Sequence, residues 1–142
     1  MRLTLEQALA IATETLAEGK RHDFAPLCVA VLDNGGNVLA LLRDERASIS
    51  RPEIATAKAS GCLGMGFGGR ELKRRAEAMP AFFAGLSSIF PKGILPVPGG
   101  VLVRSGDALL GAVGVSGDTS DNDEICAVAA ILKAGLEAET GE

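Results

Sequence analysis

The only imidazole in the chain belongs to His22, so any chemistry that needs a neutral-pH base or a nitrogen donor for iron must pass through it. It stands between Arg21 and Asp23 in a polar turn, where simple solvation also accounts for it. Lys58 is set among alanines. It can line a cavity, or it can be a helix-face lysine whose stem lies on apolar surface. Arg43 ends an apolar run and can clamp a carboxylate through paired N–H groups, or pair with Asp44 or Glu45.

The run Ser116-Gly117-Asp118-Thr119-Ser120-Asp121 leads from a Gly-punctuated apolar stretch into an alanine-rich segment. Backbone N–H groups at a helix start attract anions. Here Asp118, Asp121, Asp123 and Glu124 crowd the same end, and four carboxylates repel phosphate. Asp121 as N-cap with Glu124 three residues on satisfies the helix's own donors, so capping is the preferred reading. The spacing is not that of a calcium loop. Gly64-Met65-Gly66-Phe67-Gly68-Gly69 follows a helix rather than a strand, which makes it a helix terminator and not a dinucleotide fingerprint. Gly114-Val115-Ser116-Gly117 lacks the spacing of a nucleophile elbow.

These residues need elements to hold them. Thr4 and Gln7 have capping-box spacing, and Leu5, Ala8, Leu9, Ala12 and Leu16 share one helical face up to Gly19, which predicts a helix over 5–19. Two apolar runs, 27–33 and 37–43, flank Asp33-Asn34-Gly35-Gly36-Asn37 and read as a β-hairpin with both faces covered. A second capping box, Ser50 to Glu53 with Pro52 between, opens a helix through Cys62. A charged helix follows over 71–79, and 80–90 reads equally as helix or loop. Segments 94–97, 100–105 and 108–115 read as strands before a closing helix over 121–138. Short turns between neighbouring strands exclude a wholly parallel arrangement, so the expected fold is α/β of the α+β kind, a five-stranded antiparallel sheet flanked by helices.

Composition bounds the function. At 142 residues the chain suits one domain, 1–142. Its apolar residues form no run long enough to span a bilayer, and no export signal is visible at the N-terminus, so a cytoplasmic location is expected. A net charge of −4, with no Trp or Tyr, argues against nucleic acid as a partner. The three cysteines, Cys28, Cys62 and Cys126, lie far apart in apolar or small-residue surroundings, as reduced buried thiols do.

Over nearly its whole length, in the stretches "VAVLDNGGNVLALLR", "RDERASISRPEIATAKAS", "PGGVLVRSGDALLGAVGVSG" and "DNDEICAVAA", the sequence resembles the GlcG/HbpS family of haem-binding-type proteins, to which the C-terminal domain of PduO-type cobalamin adenosyltransferases also belongs. Asp33, Gly36, Arg43, Ala47, Ser50, Ala55, Lys58, Ala59, Gly99, Gly100, Gly111, Gly114, Ser116, Gly117, Asp123 and Glu124 carry the match. The resemblance implies a profilin-like fold, homo-oligomers, and binding of haem or a related tetrapyrrole. The function expected from it is a tetrapyrrole-binding or tetrapyrrole-sensing protein. Two alternatives stand beside it: an enzyme or accessory protein of small organic-acid catabolism, and a structural oligomeric partner. The expected ligand site comprises Arg43, Ser50, Lys58, Gly99 and Gly100, with His22 as the imidazole for iron.

Overall fold

The computed structural model describes residues 1–142. Five helices and five strands run in the order α1 (Leu5–Arg21), β1 (Cys28–Asp33), β2 (Val38–Arg43), α2 (Arg51–Met65), α3 (Gly69–Ala78), α4 (Pro80–Leu86), β3 (Gly100–Ser105), β4 (Ala108–Ser116), α5 (Ser120–Lys133) and β5 (Glu137–Glu139). All strand pairs are antiparallel, in the spatial order β2-β1-β4-β3-β5. No helix is long and apolar enough to cross a membrane.

Strand alternation divides the core in two. Val29, Val31, Val101, Val103, Val113 and Val115 point to one face, where they pack with Ala8, Ile11 and Ala12 of α1 and with Cys126, Ala127 and Ile131 of α5. Leu32, Leu102 and Ala112 point to the other, against Ala59 and Cys62 of α2 and Leu72 of α3. Both faces of β1, β3 and β4 are therefore covered, which is why these strands are continuously apolar. On the outer strand β2 the α2-side residues Val38 and Leu41 stay 44% and 43% exposed.

The α2 helix lies very close to the sheet because the strands below it carry glycine. A Cβ on Gly114 would fall on the Ala55 carbonyl oxygen, and one on Gly100 would lie 2.6 Å from the Lys58 oxygen and 2.7 Å from the Cys62 sulfur. Gly19 has a similar role: a Cβ there would come within 2.6 Å of Leu27 Cδ1. It serves close packing rather than termination, and α1 continues past it to Arg21.

The count of five strands and their antiparallel order agree with the sequence, but one strand is elsewhere. Ile94–Val97 forms no strand; Pro96 has no N–H to give a ladder, and Val97 N instead donates to Leu95 O at 2.9 Å. The fifth strand is β5, paired through Glu137, Ala138 and Glu139 to Arg104, Val103 and Leu102. The closing helix stops at Lys133, and Gly135 at φ +78° turns the chain back into β5. Two capping assignments also change. Ser50 precedes α2 in a helical conformation without a side-chain cap, and Thr119, not Asp121, caps α5 by accepting from Asn122 N. The box at Thr4 and Gln7 forms as expected.

Gly114→Ala should cost more than about 2 kcal/mol, since the added methyl meets backbone that cannot yield without lifting α2 from the sheet. Urea denaturation checks this; a midpoint equal to that of the parent would contradict the close-approach argument.

Candidate functional site

One end of the sheet gathers most of the residues singled out in the sequence. Cys28, which opens β1, faces Arg43 at the end of β2 on one side and Ser116 at the end of β4 on the other. The N-terminus of α2 overlies this end: Arg51 Nη1 donates to the Ser116 hydroxyl at 2.9 Å, and Ser116 is fully buried. Arg43 is turned onto the following loop, where its Nη1 donates to the Asp44, Glu45 and Ala47 carbonyls, the last at 2.8 Å. Ser50 is exposed at the head of α2.

Two turns further along α2, Lys58 points inward. Its ammonium donates to Val115 O at 2.9 Å and to Asp123 Oδ2 at 3.1 Å, with 4% and 1% of the two side chains exposed. Asp123 Oδ1 accepts from Asp118 N at 3.0 Å. Burial pushes the Asp123 carboxyl above its ordinary range, with the Lys58 charge working in the opposite direction. Gly99, at φ +107°, passes directly over this pair, and a Cβ on it would lie 2.8 Å from Lys58 Nζ. Lys58, Gly99 and Gly100 are thus brought together, but as a packed interior: all three are buried, and the donors of Lys58 are directed to groups within the protein.

A second ionic cluster lies beside the first and was not anticipated. Arg70, in the first turn of α3, donates to Glu124 Oε1 at 2.9 Å and to Asp121 Oδ1 at 3.0 Å. Nothing in the sequence joins residues so far apart in the chain. The carboxylates that crowd the start of α5 are therefore shared out: Asp123 to Lys58, Glu124 and Asp121 to Arg70, and Asp118 to the Ala25 and Thr119 amides and the Asn122 amide group. No group of three or more metal-ligating side chains forms here or elsewhere.

His22 takes no part in that cluster. It is the C-cap residue of α1, its Nε2 lies 3.0 Å from Glu18 Oε1, and its ring stacks on Phe24 with centroids 4.8 Å apart. The side chain is 42% exposed. Glu18 also accepts from Arg21 through Oε2, and that contact, the largest influence on it, holds its carboxyl below the usual range. The Glu18–His22 contact has the i, i+4 spacing of helix neighbours, a signal the sequence did carry. Near the ring, Leu16, Gly19, Phe24 and Leu27 line a hollow of about 20 Å³ with Lys20 and Arg46 on its rim. Larger surface grooves lie between α1 and α5 and beside Phe90.

Residues 3–132 match the family model described as haem degrading protein HbpS-like, and the chain belongs to that family. A 15.0 kDa Citrobacter freundii protein from the dhaT-dhaS intergenic region is 28% identical over 137 residues, spanning 89% of this chain and 96% of that one. The crystal structure of HbpS superposes with a TM-score of 0.81 at 28% identity, covering 94% of this chain and 90% of that one. A PduOC:heme complex superposes with a TM-score of 0.84 over 100% of both chains; at 22% identity it shows a shared fold.

Lys58→Met should cost about 3 kcal/mol because it leaves Asp123 buried and unpaired. Adding Asp123→Asn, which keeps an acceptor for Asp118 N, should recover most of that loss. With its pKa raised in the folded state, Asp123 favours folding below its ordinary value near 4 and loses that contribution as pH rises through the raised value. The single variant should therefore regain stability on acidification relative to the double variant. Equal urea midpoints for the two variants from pH 4 to pH 8 would contradict this.

Proposed function

We propose that this HbpS-like chain binds haem as a one-domain cytoplasmic protein, with His22 as the donor to iron and a second copy of the chain covering the macrocycle. The observation that carries the reading is the His22 ring: it is the sole imidazole in the sequence and it is presented at the surface. Family membership supports the ligand class. Cytoplasmic residence is supported by three cysteines that are all free and buried.

The residues around His22 fit the group in their donor set. The imidazole supplies nitrogen, Phe24 supplies an aromatic face, and Lys20 supplies a cation suited to a propionate, with Arg46 beside it paired to Asp44. Haem, when bound, supplies a redox-active iron and a Soret absorbance. The hollow near the ring holds about one water's worth of space, so a single chain cannot enclose a macrocycle there. Self-association supplies the missing cover. It draws support from large apolar residues left on the surface, notably Ile49 at 89% exposure and Ile89 at 69%.

In this reading Arg43 and Ser50, on the exposed rim at the head of α2, meet acidic substituents. Lys58, Gly99 and Gly100 act beneath them by holding α2 against β3 and β4. A small organic acid is the second reading. Arg43 favours it, since only one terminal nitrogen, Nη1, is occupied by the loop carbonyls.

Hemin titration tests the proposal. The parent should develop a Soret band distinct from free hemin, and His22→Ala should shift that band, because the axial donor sets the electronic state of the iron. Identical spectra for parent and variant would exclude His22. Stabilisation by a small carboxylate that depends on Arg43, without any Soret change, would favour the second reading. Light scattering should give a mass above 14.5 kDa; a monomer that still binds hemin tightly would remove the second copy from the site.

A further inference from the structure

We infer that Glu18 is a positioning residue for His22, fixing the imidazole as its Nε2–H tautomer so that Nδ1 is the nitrogen offered to an electrophilic ligand. The inference rests on the haem reading only for the identity of that ligand.

Arg21 donates to Glu18 Oε2 through Nη2 at 2.6 Å and through Nε at 3.1 Å. With two N–H groups of one guanidinium directed at Oε2, Glu18 is engaged as the carboxylate partner of an ion pair. An ionised carboxylate has no proton to give. The contact of 3.0 Å between Glu18 Oε1 and His22 Nε2 is then a hydrogen bond only if Nε2 is the donor. In a neutral ring the one remaining lone pair belongs to Nδ1.

Three further contacts hold this arrangement. His22 N donates to Glu18 O at 3.1 Å, which fixes the residue at the end of α1. Phe24 stacks on the ring at an interplanar angle of 14° and sets its plane while leaving the in-plane nitrogens unobstructed by the stack. Glu14 accepts from Arg21 and also from Lys133 of α5 at 2.9 Å, so the arginine that holds Glu18 is itself held. The chain of contacts runs from Lys133 through Glu14, Arg21 and Glu18 to His22. Carboxylate contacts of this kind behind a histidine ligand orient the ring and raise its basicity.

Because the chain has one histidine, imidazole nitrogen NMR of the ligand-free protein reads the tautomer without assignment. In mildly alkaline buffer the parent should show an unprotonated Nδ1 and a protonated Nε2 whose proton exchanges slowly enough to be seen. Glu18→Ala should lose that proton signal and let the ring populate both tautomers, while Glu18→Gln, which keeps an acceptor oxygen, should restore it. A protonated Nδ1 in the parent, or identical imidazole spectra for parent and Glu18→Ala, would overturn the inference. With hemin added, Glu18→Ala should weaken binding by about tenfold and move the Soret maximum; unchanged affinity and spectrum would overturn the positioning role. A parent that binds no hemin overturns the haem reading instead, and the ligand-free spectra keep the two failures apart.

Discussion

The arrangement of this protein depends on an ammonium group placed where three layers meet. Lys58 rises from α2 on one face of the sheet, passes the end of β4, and reaches Asp123 on α5 on the other face. Removing both charges from water is costly, and Coulomb attraction offsets that cost only with good geometry and satisfied remaining donors. The Val115 carbonyl and the Asp118 amide supply that satisfaction. In return the pair fixes how α2 and α5 sit relative to each other, which packing of alanines and valines alone specifies weakly. The glycines at 99, 100 and 114 follow from the same demand, since any side chain there would push α2 away from the strand ends.

The two helical layers therefore differ in character. On the α1 and α5 side the core is built from valine and isoleucine against small helix residues, and the hydrophobic effect is sufficient to hold it. On the α2 side the core is smaller, and polar contacts carry more of the registration: Lys58 to Asp123, Arg51 to Ser116, and Arg70 to Glu124. The conspicuous sequence motifs fall mostly on this second side. They mark close contact between backbone segments more than they mark an open cavity.

Local signals were readable in the sequence, and distant ones were not. The Thr4 box, the hairpin around Asp33-Asn34-Gly35-Gly36-Asn37 and the glycine stop of α2, which falls at Gly66, involve neighbours in the chain and came through. Ile94–Val97 misled because its apolar content has the composition of a strand, while Pro96 and Pro98 deny it the donors a ladder requires. β5 was hidden for the opposite reason: Glu137, Ala138 and Glu139 have poor strand propensity and pair only because β3 offers them an edge. The alanine surroundings of Lys58 left two readings open, a cavity-lining lysine and an ordinary helix-face one. Its partner Asp123, 65 residues away, was read only as one of four carboxylates crowding a helix start, because an acidic helix start looks alike whether its charges face water or a buried lysine.

The two borders of the sheet are chemically unlike. β5 closes one of them with three residues, two of them acidic, and Glu139 is tied to Arg104 at 2.9 Å. β2 closes the other with six residues, one strand neighbour and apolar side chains exposed on one face. Charged, short borders resist strand addition and long apolar ones invite it. A particle with one receptive border has a valence of one: two such particles joined along it leave no receptive border behind. Were two copies to join along β2, growth by that route would end in a closed pair instead of a fibre, without the hazard of open-ended polymerisation.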